Sequence, residues 1–152
     1  MSRPVFAVER FQDVYAELLP LLHEHYDEIS IHKQMGYDLK PNVALYQAMQ
    51  DADQLSMMIG RLDGRIVAYF VVFVRPSIHY GDCLEGIGDI FFVEQTRRGA
   101  MFGNALFDAT EKELKRRGVK CFMAGEKLAF SAAPLFERRK FEPIERKWAL
   151  WL

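Results

Sequence analysis

The residues best placed to do chemistry gather in one stretch, Asp89-Ile90-Phe91-Phe92-Val93-Glu94-Gln95-Thr96-Arg97-Arg98-Gly99-Ala100-Met101-Phe102-Gly103-Asn104-Ala105-Leu106-Phe107. An apolar run ending at Val93 leads through a polar turn and small residues into a helical pattern. The first N–H groups of such a helix have no partner inside it and carry the positive end of its dipole. A strand, turn and helix of this kind can therefore hold a phosphate or diphosphate. Gly99, Ala100 and Gly103 let a ligand approach the backbone, and Arg97 and Arg98 add positive charge. The competing reading is a plain strand–helix junction with solvated arginines.

Candidates for proton transfer flank this stretch. Asp89 opens an apolar strand, where an isolated carboxylate is costly to bury. With no bulge in the strand, it shares a face with Phe91 and Val93. It reads as a catalytic or substrate-binding carboxylate, or else as a structural hydrogen-bond acceptor. Glu28 reads as a functional acid or as a solvated helix charge. His79 and Tyr80 read as the rim of a binding site or as simple turn packing. His23-Glu24-His25 hints at a metal, but residues i and i+2 do not share a helix face and no third ligand is placed, so no metal is expected. Arg138-Arg139-Lys140 reads as a solvated face or as a contact for a phosphate or nucleic acid.

The elements that must position these residues follow from the hydrophobic pattern. Val5-Phe6-Ala7-Val8 suits an edge strand. From Phe11 the period becomes helical through Val14, Tyr15, Leu18, Leu19 and Leu22. Pro20 should kink or restart that helix, and His23 to Ile29 reads as its end or a turn. Pro41-Asn42 opens a second helix, with Pro at a first helical position, and Val43, Leu45, Tyr46 and Met49 are available for packing. Leu55–Leu62 and Arg65–Val74 are strands joined by the hairpin turn Asp63-Gly64. The second of them is apolar almost throughout and so is buried on both faces. Arg75 to Asp82 is a loop, and a third strand ends in Asp89 to Val93. Phe102 to Arg117 is an amphipathic helix closed by Gly118. Val119 to Ala124 is a strand, Ala132 to Arg139 a short helix, and Ile144 to Leu152 a final strand with Trp148, Leu150 and Leu152 on one face. The fold class is α/β, in the order β-α-α-β-β-β-α-β-α-β.

The chain's 152 residues suit a single domain able to bury a sizeable core. Twenty Lys and Arg against 21 Asp and Glu give a net charge of -1, so no global basic footprint points to nucleic acid. Cys83 and Cys121 form no CxxC and read as free thiols in a reducing compartment. The N-terminus lacks a signal-peptide run, and the longest apolar stretch, Ile66 to Val74, is far short of the ~20 residues that span a bilayer. A soluble cytoplasmic protein without membrane partners is expected.

Arg98-Gly99-Ala100-Met101-Phe102-Gly103 resembles the acetyl-coenzyme A turn of the GCN5-related N-acetyltransferase family, Gln/Arg-x-x-Gly-x-Gly/Ala. Arg98 and Gly103 match, Val93 stands at the family's strand end, and Met101 replaces the first Gly, which implies a more crowded turn. Leu135 to Phe141 resembles a late Leu-Tyr-Glu-Lys-x-Gly-Phe segment, with Lys140 in place of the Gly. The element order agrees over most of the chain. The resemblance is nearest to a phage and prophage branch, which pairs an early His-x-x-Glu (His25, Glu28), a mid-chain His-Tyr (His79, Tyr80) and an Asp before the coenzyme strand (Asp89).

The resemblance implies a mixed twisted sheet flanked by helices, one domain over residues 1–152, and acetyl transfer from acetyl-coenzyme A to a primary amine of a small molecule or protein. A homodimer stays open. Phe91, Val93, Arg98, Gly99, Ala100, Met101, Phe102, Gly103, Asn104 and Phe136 would hold the coenzyme. Asp89, Glu28, His79 and Tyr80 would serve proton transfer and the acceptor. The N–H of Val93 is the family's oxyanion donor. An amine near pKa 10.4 must lose its proton to a carboxylate or His, directly or through water. Asp89 lies roughly 13 Å up the strand from Val93, so water would carry the proton. Phe136 stands where the family commonly places a Tyr acid, and Ala129 where it often has a coenzyme-binding Asn. A thiol pKa of about 8.5 makes the thiolate a tolerable leaving group, with Ser131 or water as substitute acid. The same departures suit a non-catalytic domain of this fold that binds coenzyme A or a protein partner, or a phage-encoded factor directed at a host protein.

Overall fold

The computed structural model describes residues 2–152. Strand β1 (Val5–Val8) precedes helix α1 (Phe11–Ile29), a single helical turn α2 (Ile31–Gln34) and helix α3 (Val43–Asp51). Strands β2 (Leu55–Leu62), β3 (Arg65–Pro76) and β4 (Leu84–Val93) follow, then helix α4 (Ala100–Arg116), strand β5 (Cys121–Met123) and helix α5 (Ala133–Arg138). The sheet runs β1-β2-β3-β4-β5; its first four strands are antiparallel and β5 is parallel to β4. This is the expected mixed α/β class.

Local chemistry explains the boundaries. Asp63 and Gly64 both take positive φ, 51° and 80°, the two-residue hairpin turn whose twist matches the strands. Gly118, at φ 85°, ends α4: its N–H donates to Lys115 O and that of Val119 to Leu114 O, the paired bonds of a left-handed helix stop. Asn42, not Pro41, starts α3, because its Oδ1 accepts from the Leu45 N–H at 3.1 Å. Helix α1 continues through Pro20 to Ile29 instead of ending near His23. Pro20 lies on the solvent face, while Phe11, Val14, Leu18, Leu21, Leu22 and His25 bury one continuous stripe, and that burial outweighs one lost backbone bond.

Helices α1 and α3 cover one face of the sheet and α4 and α5 the other. Leu55, Met57, Ile59, Tyr69, Val71 and Phe92 point toward α1; Met58, Ala68, Phe70 and Val72 point toward Leu106, Phe107 and Leu114 of α4. Residues 66–72 of β3 are therefore buried on both faces, as expected.

The final strand expected at Ile144 to Leu152 is not formed. Ile144 lines a cavity beside β5, whereas Trp151 stacks on Tyr37 at 5.6 Å and meets His32 edge-on at 5.0 Å. The tail thus passes from the α4 side to the α1 side, and an aromatic contact replaces strand pairing. Trp148, Leu150 and Leu152 remain exposed.

Candidate functional site

The site begins where the sheet opens. Strand β5 pairs with β4 only at Glu85↔Cys121, Gly86↔Phe122 and Ile87↔Met123, so β4 from Gly88 onward has no strand on that side. Gly88 marks the parting point, since a Cβ there would lie 3.2 Å from Met123 O and 3.1 Å from the Phe70 ring. On its other edge the Glu94 N–H donates to Val67 O at 2.8 Å. Strand alternation then directs the N–H groups of Phe92 and Ile90 to β3 and those of Phe91 and Val93 into the gap. Phe91 and Val93 are thus presented as backbone donors by the opening itself.

At the end of β4 the chain makes a 3-10 turn over Gln95–Arg97 and enters α4 after Gly99. The first intrahelical bond runs from Gly103 N–H to Gly99 O at 3.3 Å, so the N–H groups of residues 100–102 face outward from the helix end. A Cβ added at Gly99 or Gly103 would meet nothing within 4 Å. Neither glycine is demanded by packing within the chain, and the space before the turn is open. Met101 is 87% exposed, so its side chain does not crowd the protein side of the turn. Phe102 packs edge-on against Phe6 at 5.5 Å, and Asn104 gives its Oδ1 and carbonyl to Arg139 Nη1. Their side chains are spent on packing, which leaves only their backbone to the turn. Arg139 also binds Asp108 and Glu111, so it ties α5 to α4 and is no free phosphate ligand.

Arg98 does more than lend charge to the turn. Its guanidinium grips both oxygens of Glu28 at 2.7 and 2.6 Å, its Nε donates to Val93 O at 2.9 Å, and it lies over the Phe92 ring. The Glu28 carboxylate holds the Arg98 pKa up. Two residues expected to act separately, one as acid–base group and one as phosphate ligand, form a strut between α1 and the end of β4.

Asp89 sits at a β-bulge. Val71 faces Ile90 while Val72 faces Gly88, which leaves Asp89 as the extra residue of β4. One extra residue shifts a strand's facing pattern. Phe91 and Val93 lie on the α4 face, but Asp89 acts on Tyr46 and Tyr69, which lie on the α1 and α3 face. The face shared with Phe91 and Val93 is expected only of a strand without a bulge, and the bulge removes that condition. Solvent reaches its carboxyl at the mouth of the gap, yet the surrounding walls raise its pKa against the opposing pull of Lys127. Burial, helped by the charge of Asp89, pushes the Tyr46 hydroxyl up to about 12.

His25 completes this wall; the sequence marks it as half of the early His-x-x-Glu but gives it no role in the site. Its Nδ1 lies 2.6 Å from the Tyr69 hydroxyl and its ring stacks on Phe92 at 4.9 Å. Burial drives its pKa down to about 4, with Arg98 and Lys127 adding to the effect and Glu28 opposing it. His25 is neutral at pH 7. The available signal was its place on the buried stripe of α1, where a polar side chain must find a partner.

His79 and Tyr80 are not brought here. They lie in the exposed loop joining β3 to β4 and touch each other edge-on, with β4 extending roughly 30 Å from that end to Val93. Phe136 stands beside the opening, packed edge-on against Phe91 at 6.1 Å and Phe107 at 5.9 Å. The Ser131 hydroxyl donates to Glu126 and accepts from the Ala133 N–H, so its proton is already committed in the turn before α5. Among the described residues no three His, Cys, Asp or Glu gather as a metal site, and no helix is long and apolar enough to cross a membrane.

No protein-family model matches the sequence, and no curated protein matches it. Solved structures do. A ribosomal-protein-alanine N-acetyltransferase from Brucella melitensis biovar Abortus 2308 superposes with a TM-score of 0.70 at 15% identity, over 99% of this chain and 97% of that one. A predicted acetyltransferase from Clostridium acetobutylicum, solved with acetyl-CoA, gives 0.69 at 14% identity, over 97% and 96%. An aminoglycoside acetyltransferase from an uncultured soil metagenomic sample gives 0.78 at 14% identity, over 99% of each chain. The chain shares the fold of these acetyltransferases; at such identities the chemistry has to be argued from its own residues.

Proposed function

We propose that residues 1–152 form one acyltransferase domain that moves an acetyl group from acetyl-coenzyme A to a primary amine of a small molecule or protein. One observation carries this reading: the opening between β4 and β5 joins an outward-facing helix N-terminus to two free backbone donors on one side and a carboxylate on the other. The open space at Gly99 and Gly103 fits a diphosphate, and the fold is that of a neighbour solved with acetyl-CoA.

When bound, the coenzyme supplies an activated thioester. The N–H groups of residues 100–102 hold its diphosphate, and the gap-facing N–H groups of Phe91 and Val93 bind along its arm. With the diphosphate at the start of α4, the arm would run along the gap from Val93 toward the point where β4 and β5 part, which would put Phe91 and Asp89 beside the sulfur. Phe91 N–H is then the donor for charge that builds on the acyl oxygen. Asp89, across the strand, takes the proton from the incoming ammonium directly or through one water, and its raised pKa improves its match to that task. The nitrogen bonds to the acyl carbon as the carbon–sulfur bond breaks and the thiolate leaves, and the second proton of the nitrogen passes to that thiolate or to solvent, which gives the neutral amide. Phe136 offers no proton, and a thiolate needs none to depart at neutral pH.

Release of free thiol from acetyl-coenzyme A with a panel of primary amines tests this. Acetyl-coenzyme A should raise the Tm of both the parent and Asp89→Asn. Asp89→Asn should lower kcat/KM by about 10- to 100-fold, and the loss should shrink as rising pH deprotonates the amine without help. A Tm rise with no thiol release from any amine would make the chain a coenzyme-binding domain without catalysis.

A further inference from the structure

We infer that the acceptor is a monoamine carrying one apolar group about the size of a benzene ring, with that group in the cavity between α3 and β3 and its nitrogen at Asp89. This rests on the acyl-transfer reading and names the acceptor for it. The cavity has a volume of about 190 Å3 and is lined by Asn42, Leu45, Tyr46, Met49 and Phe73. Asn42 contributes no free acceptor at its Oδ1, which already caps α3. The Tyr46 ring is stacked on Phe11 with centroids 4.5 Å apart and planes 3° from parallel, so it is held as a fixed wall. A cavity of about 150 Å3 takes up benzene, so this one has room for a single ring or a branched chain. A sugar would lose water from several hydroxyls there and find few partners.

The same wall leads to the carboxylate. Phe73 pairs with Ile87, two residues before Asp89, and the bulge turns Asp89 onto the α3 face that the cavity opens from. Tyr46 belongs to both places: its ring lines the cavity, and its hydroxyl lies within the field of Asp89. An apolar body in the cavity thus delivers its amine to the base. The carboxylate at that point is single and already feels one cation. Lys127, from the loop before α5, pulls on the Asp89 carboxylate, and Glu28 is already occupied by Arg98. A polyamine would set its second cation against Lys127.

Thiol release is measured with methylamine, propylamine, benzylamine, a naphthyl-methylamine, spermidine and a short peptide with N-terminal Phe. KM should fall about fourfold per methylene, roughly 16-fold from methylamine to propylamine, fall further for benzylamine, and rise again for the naphthyl amine. The peptide arm separates a free amine from a protein N-terminus as the source of the same group. Leu45→Trp, at a half-exposed position on the cavity mouth, should abolish the benzylamine preference, bringing the KM values of benzylamine and methylamine together. Turnover with the same KM for methylamine and benzylamine, or a preference for spermidine, overturns the inference and leaves acyl transfer standing. If no amine is turned over, binding of benzylamine alone is read by thermal shift. A shift lost in Leu45→Trp keeps the cavity site while acyl transfer falls, and no shift overturns both.

Discussion

Strands β3 and β4 are neighbours of similar length, yet their surroundings differ. β3 is paired on both edges and fully buried from Ile66 to Val72. β4 keeps a second partner for only three residues, carries a bulge at Asp89, and buries only Gly86 and Phe92. The β2–β3 end is further fastened by Arg61, which reaches Glu9, Glu17 and the Gly64 carbonyl. An opened strand sacrifices ladder bonds and gains free donors, so it must lie against one that does not move. The bulge and the gap are placed on the strand next to the most buried one, and their geometry is as fixed as that neighbour.

The difference should be largest in stability. Phe70 is fully buried on β3 and packs on Phe91, Phe107 and Phe122. Phe70→Ala should cost about 3–5 kcal/mol, lowering Tm by roughly 10 °C. Ile90→Ala, beside the bulge on β4, should cost less than half as much. Equal losses in a thermal melt would mean that β4 is as much scaffold as β3 and would remove the division.

The next largest effect lies where α1 meets β4. His25 has a folded pKa of about 4 against 6.5 for the free side chain. The unfolded chain therefore takes up the proton first as pH falls. Stability from the neutral ring is complete above about pH 6.5 and is lost as pH drops through 4, by about 3 kcal/mol in all. The raised pKa of Asp89 works in the opposite direction, so the comparison is between His25→Gln and parent, both of which keep Asp89. Glutamine can still bond the Tyr69 hydroxyl but does not titrate. Urea unfolding at pH 7.5 and pH 4.5 should show the parent losing about 2 kcal/mol more than the variant. A parallel decline would mean that His25 is protonated in the folded protein without penalty.

The same division separates what the sequence could reveal from what it could not. The hairpin at Asp63-Gly64, the two-sided burial of β3 and the amphipathic α4 are local patterns, and each is visible in residue types and their spacing. Asp89 could be picked out as a carboxylate in an apolar strand, but its face depends on a register shift against β3 that no local pattern encodes. Arg98 and Glu28 are 70 residues apart, and their pairing depends on where α1 ends, which Pro20 obscured. The tail from Ile144 alternates like a strand, but Trp151 found Tyr37 and His32 instead. Strand pairing and aromatic docking are tertiary choices that the same period-two pattern permits.

The smallest effect is expected at the other end of β4. His79 and Tyr80 matched a family segment by order along the chain, which says nothing of distance in space. The loop that holds them precedes Leu84, and the donors of the gap begin at Phe91, seven residues further along the strand or roughly 23 Å. Both side chains are exposed, and Tyr80 is 72% accessible. No ion pair or hydrogen bond links either to Asp89, His25 or Arg98 among the described residues. Replacing both with Ala should leave kcat/KM within about twofold and Tm within a degree or two, the usual result for surface positions. A tenfold or larger loss of kcat/KM at unchanged Tm would place the acceptor along the whole length of β4, and would extend the working half of the sheet to the loop that this structure sets apart from it.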